Sequence, residues 1–379
     1  MMEQQRDAQL EQQIVQKVEQ LGEQLLNSIV DMVQIDSTET QAEPQAPFGV
    51  GVRKALDAAL ELAGKMGFET VDVDHYMGYA SYRAPGKVDL EGYVGAIGHL
   101  DVVPAGTGWR QPPFSGFRED GVIYSRGVLD NKGPILSCLY ALYALKELGL
   151  PLKREVRIVF GCDEESGFED LKYYLTKEQP PVMGFTPDCK YPVVYAERGR
   201  AVVEITAANQ EALFELMNAY ILNANNNGER LGIAFKDAEF GSLEVRNYQL
   251  KQTEQGPAIQ FSISYPAGCT ADGLVEQLRQ TLSGHTVRLV SNFDPVRFEK
   301  DCRLVDTLRY TYERVTGQDG TPVTTTGGTY AKLMPNIVPF GPSFPGQKGI
   351  GHQPNEWKKE QDILTNAKIY ALSLYYLAL

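Results

Sequence analysis

A chain of 379 residues is long for a single core and predicts two domains. Its 43% hydrophobic and 22% charged residues describe an ordinary globular protein and exclude intrinsic disorder. A net charge of −13 argues against nucleic acid and membrane as partners, because nucleic acid and anionic lipid both repel an acidic surface; it also leaves carboxylates free for cations.

The polar N-terminus "MMEQQRDAQLEQQ" has no apolar signal-peptide core. Residues 10–34 and 51–66 repeat apolar positions at helical spacing. Strand-like runs follow at "TVDVDHY", "YASYRA" and "GYVGAIGHL", then "GVIYSRG". A helix is predicted over Lys132 to Leu148, a strand at "REVRIVFGC", a helix at "FEDLKYYLTKE" and a strand at "YPVVYAERG". This alternation predicts an α/β layer of phosphorylase/hydrolase-like kind, a mainly parallel sheet with helices on both faces. The apolar tail "IYALSLYYLAL" is too short to span a bilayer and predicts a buried terminal helix.

The pattern changes near Arg200. A strand "RAVVEITA", a helix "QEALFELMNAYILNA", a hairpin "SLEVRNYQLKQ"/"PAIQFSISYP", a helix "TADGLVEQLRQTLSG" and a strand "HTVRLVSNF" give the order βαββαβ. That is the split-βαβ, ferredoxin-like pattern of a small α+β domain. After Cys302 the first pattern resumes. Residues 200–298 are therefore expected as a lid domain inserted between 1–199 and 299–379, which together form the catalytic domain.

Five cysteines, an odd number without a Cys-x-x-Cys pair, fit a reducing cytoplasm. Polar residues gather where predicted strands end. His99 and Asp101 follow "YVGAIG"; Asp130 precedes a helix in "RGVLDNKGP"; Glu164 and Glu165 follow a strand in "FGCDEESG". Asp188 lies in "GFTPDCKYP" and His352 in "FPGQKGIGHQPNE". Each has an ordinary explanation alone. Asp130 could cap a helix, "DEES" could be a solvated turn, and His352 could be exposed in its Gly/Pro-rich loop. In an open α/β sheet, however, ligands bind outside the carboxyl ends of strands. Two imidazoles and several carboxylates converging there form a donor set that suits zinc.

"GHLDVVPAGTGW", "SRGVLDNKGP", "CDEESGFED", "FTPD" and "GGTY…FPG…GHQPNE" resemble, in order, the motifs of the di-zinc aminoacylase, carboxypeptidase G and carnosinase metallopeptidases. The bacterial dipeptidase V branch is nearest in pattern. The resemblance implies one zinc on His99, Asp130 and Asp188 and a second on Asp130, Glu165 and His352, with Asp130 bridging. Manganese or cobalt can take the place of zinc. A bridging carboxylate keeps two cations about 3.5–4 Å apart. Asp101 is then expected to hold the His99 ring through its carboxylate, both side chains projecting from one side of a strand. Glu164 is implied as the general base, taking a proton from the attacking water and passing it to the leaving amine. The Asp130–Asn131 peptide is implied to be cis. Gly327, Gly328 and Thr329 are expected to contact substrate, a dipeptide or an N-acyl amino acid. Cys162 and Cys189 read as buried thiols rather than ligands.

The resemblance breaks in the small domain. The family's Gly-x-x-Ala-His segment, whose histidine donates to the oxyanion, has no counterpart after "RAVVEITA". Ser264 stands where the dipeptidase V pattern has an arginine for the substrate carboxylate, and the chain is shorter. His285 is the sole small-domain histidine, and His75 precedes the metal motifs. These departures leave open a changed substrate, slow turnover, a lid segment missing from the chain as given, or a zinc-binding relative that holds peptides without cleaving them. Retention of Glu164 favours the enzyme.

Overall fold

The apolar run Tyr93–His99 forms an inner strand of a six-stranded sheet, and all seven of its residues are buried. A computed structural model describes residues 7–84 and 90–379. In chain order its main elements begin with α1 Ala8–Gln20, α2 Gly22–Val33, α3 Val50–Lys65, β1 Glu69–Val73, β2 Met77–Tyr82 and β3 Tyr93–His99. Next come α4 Lys132–Glu147, β4 Glu155–Gly161, α5 Glu169–Lys177 and β5 Met183–Thr186. β6 Gly199–Thr206, α6 Gln210–Leu216, β7 Glu244–Thr253, β8 Gly256–Tyr265, α7 Ala271–Thr281 and β9 Thr286–Phe293 follow. The chain closes with α8 Arg303–Thr316, β10 Ile337–Pro339 and α9 Glu360–Leu377.

The chain divides into two compact units. One takes residues 1–194, 299–322 and 329–379; the other takes 195–298 and 323–328. Residues 195–199 and 323–328, expected with the catalytic domain, thus go with the second unit.

In the first unit the strand order is β1-β2-β4-β3-β5-β10. β3 runs parallel to β4 and β5, and β10 runs parallel to β5. β1 and β2 are antiparallel, as are β2 and β4, so the sheet is parallel on one side only. The β1–β2 turn carries Asp74 and His75 at positive φ, a conformation for which Asp and His are among the more tolerant residues. His75 Nδ1 there meets Asp72 Oδ2 at 2.9 Å, so this histidine anchors a hairpin. The helical run 10–34 is broken at Leu21 into α1 and α2, where Gly22 packs on Leu364. α4 and α9 pack together and are buried on nearly every side, as expected of helices apolar all round.

Register fixes the business end of this sheet. His99 pairs with Gly161 at the last positions of β3 and β4. The segments leaving β3, β4 and β5 therefore emerge along one edge, and they carry Asp101, Glu164 and Glu165, and Asp188.

In the second unit the antiparallel order β7-β8-β6-β9 is what a βαββαβ chain makes in a ferredoxin-like fold. Ala201, Val203 and Ile205 of β6 and Phe261 and Ile263 of β8 share a core with Leu274 and Leu278 of α7. Asn209 caps α6 by accepting from the Ala212 N–H at 2.9 Å, and Thr270 caps α7. α6 is shorter than its apolar periodicity suggests: it ends at Leu216 and loosens into a π-turn over Met217–Ile221.

Candidate metal centre

His99 closes β3 with its ring fully buried. Its Nε2 lies 3.2 Å from Asp130 Oδ1 and 3.5 Å from Asp188 Oδ2. His352 Nε2 lies 3.0 Å from Asp130 Oδ2 and 2.9 Å from Glu165 Oε1. Asp130 thus turns one carboxylate oxygen to each histidine. Two triads result, His99–Asp130–Asp188 and Asp130–Glu165–His352, and within each the ligand atoms lie within 4.8 Å of one another. The first triad is deep. The second is nearer the surface, with the His352 side chain 49% exposed.

The Asp101 carboxylate stands 3.3 Å from His99 Nδ1, as expected of a group that holds the ring. β3 stops at His99, so strand alternation does not aim this side chain, and the Asp101 backbone carbonyl also accepts from Nδ1 at 2.8 Å. The carboxylate accepts the N–H groups of Glu164 at 3.2 Å and Glu165 at 3.0 Å. The Nδ1 bond still leaves His99 Nε2 to face the carboxylates.

The Asp130–Asn131 peptide is cis. Asn131, not Asp130, precedes α4, and no side chain caps that helix. Asn131 Oδ1 accepts from the His99 N–H at 3.2 Å, and its Nδ2 donates to the Pro187 carbonyl at 2.7 Å. One amide therefore ties the His99, Asp130 and Asp188 segments together. Gly98 makes this possible, since a Cβ there would sit 2.3 Å from Asn131 Oδ1.

Glu356 was not singled out from the sequence, although it closes the motif "GHQPNE". Its Oε1 accepts the N–H groups of Leu129 at 2.9 Å and Asp130 at 3.1 Å. Its Oε2 meets Arg126 Nη1 at 2.6 Å, and both side chains are buried. Removing one member of a buried pair leaves an uncompensated charge. Glu356→Ala should therefore cost about 3–5 kcal/mol. Urea unfolding of the variant checks this; a loss under about 1 kcal/mol would mean that the Asp130 loop does not depend on the pair.

The electrostatics reflect crowded acids. Burial raises Glu164 well above the ordinary carboxylate range, and the Asp188 charge adds to it. Asp188 is pushed up to about 6 by burial and by Asp130. Burial also acts on Asp130, but hydrogen bonds from His352 and His99 outweigh it and hold this carboxyl low. Burial disfavours a charged His99, yet Asp101, Asp130 and Asp188 raise it well above its usual value. Hydrogen bonds to Asp130 and Glu165 lift His352 to about 10. Both imidazoles are thus pushed towards the protonated form by an excess of carboxylates. A pair of divalent cations would balance that excess in place of the protons, and the N/O donor set suits zinc or manganese.

The other predicted residues fall as follows. Gly327 and Gly328 lie in the second unit and Thr329 in the first, where its side chain caps the short Tyr330–Lys332 turn. His285 lies in the second unit, between α7 and β9, with Nδ1 buried and without a hydrogen-bond partner. Cys162 is buried, whereas Cys189 is only partly so.

Among the described residues no helix is long and apolar enough to cross a membrane. The chain is 29% identical over 460 aligned positions to "Putative dipeptidase YtjP" of Bacillus subtilis, covering 94% of this chain and 97% of the relative. The alignment is longer than the 379 residues here, so the relative carries stretches that this chain lacks. In fold it is similar to human carnosine dipeptidase 1, with a TM-score of 0.74 at 16% identity over 97% of this chain and 99% of that one. Dug1p of Saccharomyces cerevisiae is comparable, with a TM-score of 0.73 at 16% identity over 97% and 98% of the two chains. The family model "Peptidase family M20/M25/M40" matches residues 95–375, a span that takes in both triads and most of the sequence; the chain belongs to this family of peptidases.

Proposed function

We propose that the chain hydrolyses the peptide bond of dipeptides at a two-zinc centre, with N-acyl amino acids as the alternative substrate class. The observation that carries this reading is the pair of triads sharing Asp130, with Glu164 beside them. The name of the Bacillus relative supports a dipeptide over a longer peptide.

His99, Asp130 and Asp188 would hold one metal, and Asp130, Glu165 and His352 the other. Bound metal supplies a polarised carbonyl and a water of lowered pKa. Glu164 would take a proton from the attacking water at its carboxylate and later give it to the leaving nitrogen. Its buried, acid-crowded setting raises its proton affinity, which suits it to both transfers. Asp101 keeps the turn bearing Glu164 in place through two backbone N–H groups. Gly327, Gly328 and Thr329 would contact substrate through backbone. A Cβ at Gly327 would meet only Thr325 Oγ1, at 3.6 Å, so the fold itself does not require glycine there. The odd number of cysteines and the lack of a Cys-x-x-Cys pair in the sequence support a reducing, cytoplasmic location.

Turnover should be slow for the family. The chain has four histidines, and none stands in a Gly-x-x-Ala-His segment after β6. One oxyanion donor is worth about 10²–10³ in rate. The zinc-loaded chain should therefore hold two metals yet show kcat/KM well below about 10⁵ M⁻¹s⁻¹ on a panel of dipeptides and N-acyl amino acids. Efficient cleavage would show that another group supplies the donor. No cleavage of any member, with both metals bound, would favour a peptide-binding protein instead.

A further inference from the structure

The turn between β4 and α5 is held by two carboxylates, those of Asp101 and Asp170. Four successive backbone N–H groups, those of Cys162, Asp163, Glu164 and Glu165, each meet an aspartate. Asp170 Oδ2 accepts from Cys162 at 2.6 Å and from Asp163 at 3.0 Å. Asp101 accepts from Glu164 at 3.2 Å and from Glu165 at 3.0 Å. Asp170 is fully buried, and its polar contacts are backbone N–H groups and one phenol. Burying a carboxylate without a cation is costly, and a turn N–H can be satisfied more cheaply by a hydroxyl or a carbonyl. Adjacent peptide units are thus held in pairs along the backbone entering Glu164.

The phenol is Tyr330, whose hydroxyl donates to Asp170 Oδ2. Tyr330 is buried, with its ring edge-on to His99 at 6.4 Å between centroids and 5.4 Å from Phe168. Gly161, the last residue of β4, admits the hydroxyl, because a Cβ there would lie 2.0 Å from it. Asp163 completes the clasp by accepting the Glu169 N–H at 2.9 Å.

We infer that Asp170, locked by Tyr330, is a positioning residue that sets the placement of Glu164; this rests on the reading of Glu164 as the base. A displacement of about 1 Å in a reacting group can cost about 10²-fold. In the metal-loaded full chain, Asp170→Asn should therefore lower kcat roughly 10- to 100-fold with KM nearly unchanged, at temperatures well below its Tm. Tyr330→Phe, which removes one oxygen and leaves both backbone bonds, should give a smaller loss in the same parameter and stands in if Asp170→Asn does not fold.

The deciding measurement is a double-mutant cycle with Glu164→Gln. A residue that works through Glu164 adds little once the base is gone, whereas a general structural defect multiplies. Loss of kcat that disappears in the Glu164→Gln background supports the proposal. Wild-type kcat in both variants, or an undiminished loss in that background, overturns it. Failure of the base reading itself shows differently, as near-normal turnover in Glu164→Gln alone, and it removes the positioning role with it.

Discussion

Glu164→Gln should lower kcat at least roughly 10²–10⁴-fold while both metals stay bound. Glutamine preserves the length and shape of the side chain but cannot accept the water's proton. The backbone N–H of residue 164 remains on Asp101, so the turn is unchanged. Neither triad includes Glu164, so metal affinity has no reason to fall. The split between chemistry and binding is the signature sought. Metal stoichiometry and dipeptide kinetics on one preparation measure it, and turnover within about tenfold of the parent would remove Glu164 from the mechanism.

The candidate metal ligands were legible through the resemblance of five ordered motifs, since each residue taken alone had an ordinary explanation. His99, Asp130, Glu165, Asp188 and His352 could each be placed before any tertiary contact was known, and the structure brings all five together. Their supports were not legible, although several lie inside the same motifs. Glu356 reaches Asp130 across 226 residues and Tyr330 reaches Asp170 across 160. Such partners are chosen by register between distant elements, and no spacing rule encodes that register. Asp101 shows the same limit at short range. Its carboxylate beside His99 was readable, but the added backbone bond to the ring depended on β3 ending at His99, and element boundaries are weakly encoded. The antiparallel β1–β2 edge was hidden for a related reason: strand sequences announce burial better than direction.

Asp130→Ala should empty the centre of both metals, and this loss should exceed that of any other single ligand variant. Asp130 faces His99 with one oxygen and His352 with the other, so each metal loses a ligand and the two lose their shared negative charge. Asp188→Ala and His352→Ala each touch one triad and should leave the other able to bind. Removing even an outer partner of a metal ligand typically costs 10- to 100-fold in affinity, so loss of the shared carboxylate should cost more than about 100-fold at both positions. Equilibrium dialysis against micromolar zinc, followed by elemental analysis, should give no bound metal for Asp130→Ala and one for each of the other two. Two metals on Asp130→Ala would mean that the bridge lies elsewhere. One metal would mean that the two triads bind independently and that the short distances to Asp130 reflect packing of an acidic cluster rather than a shared ligand.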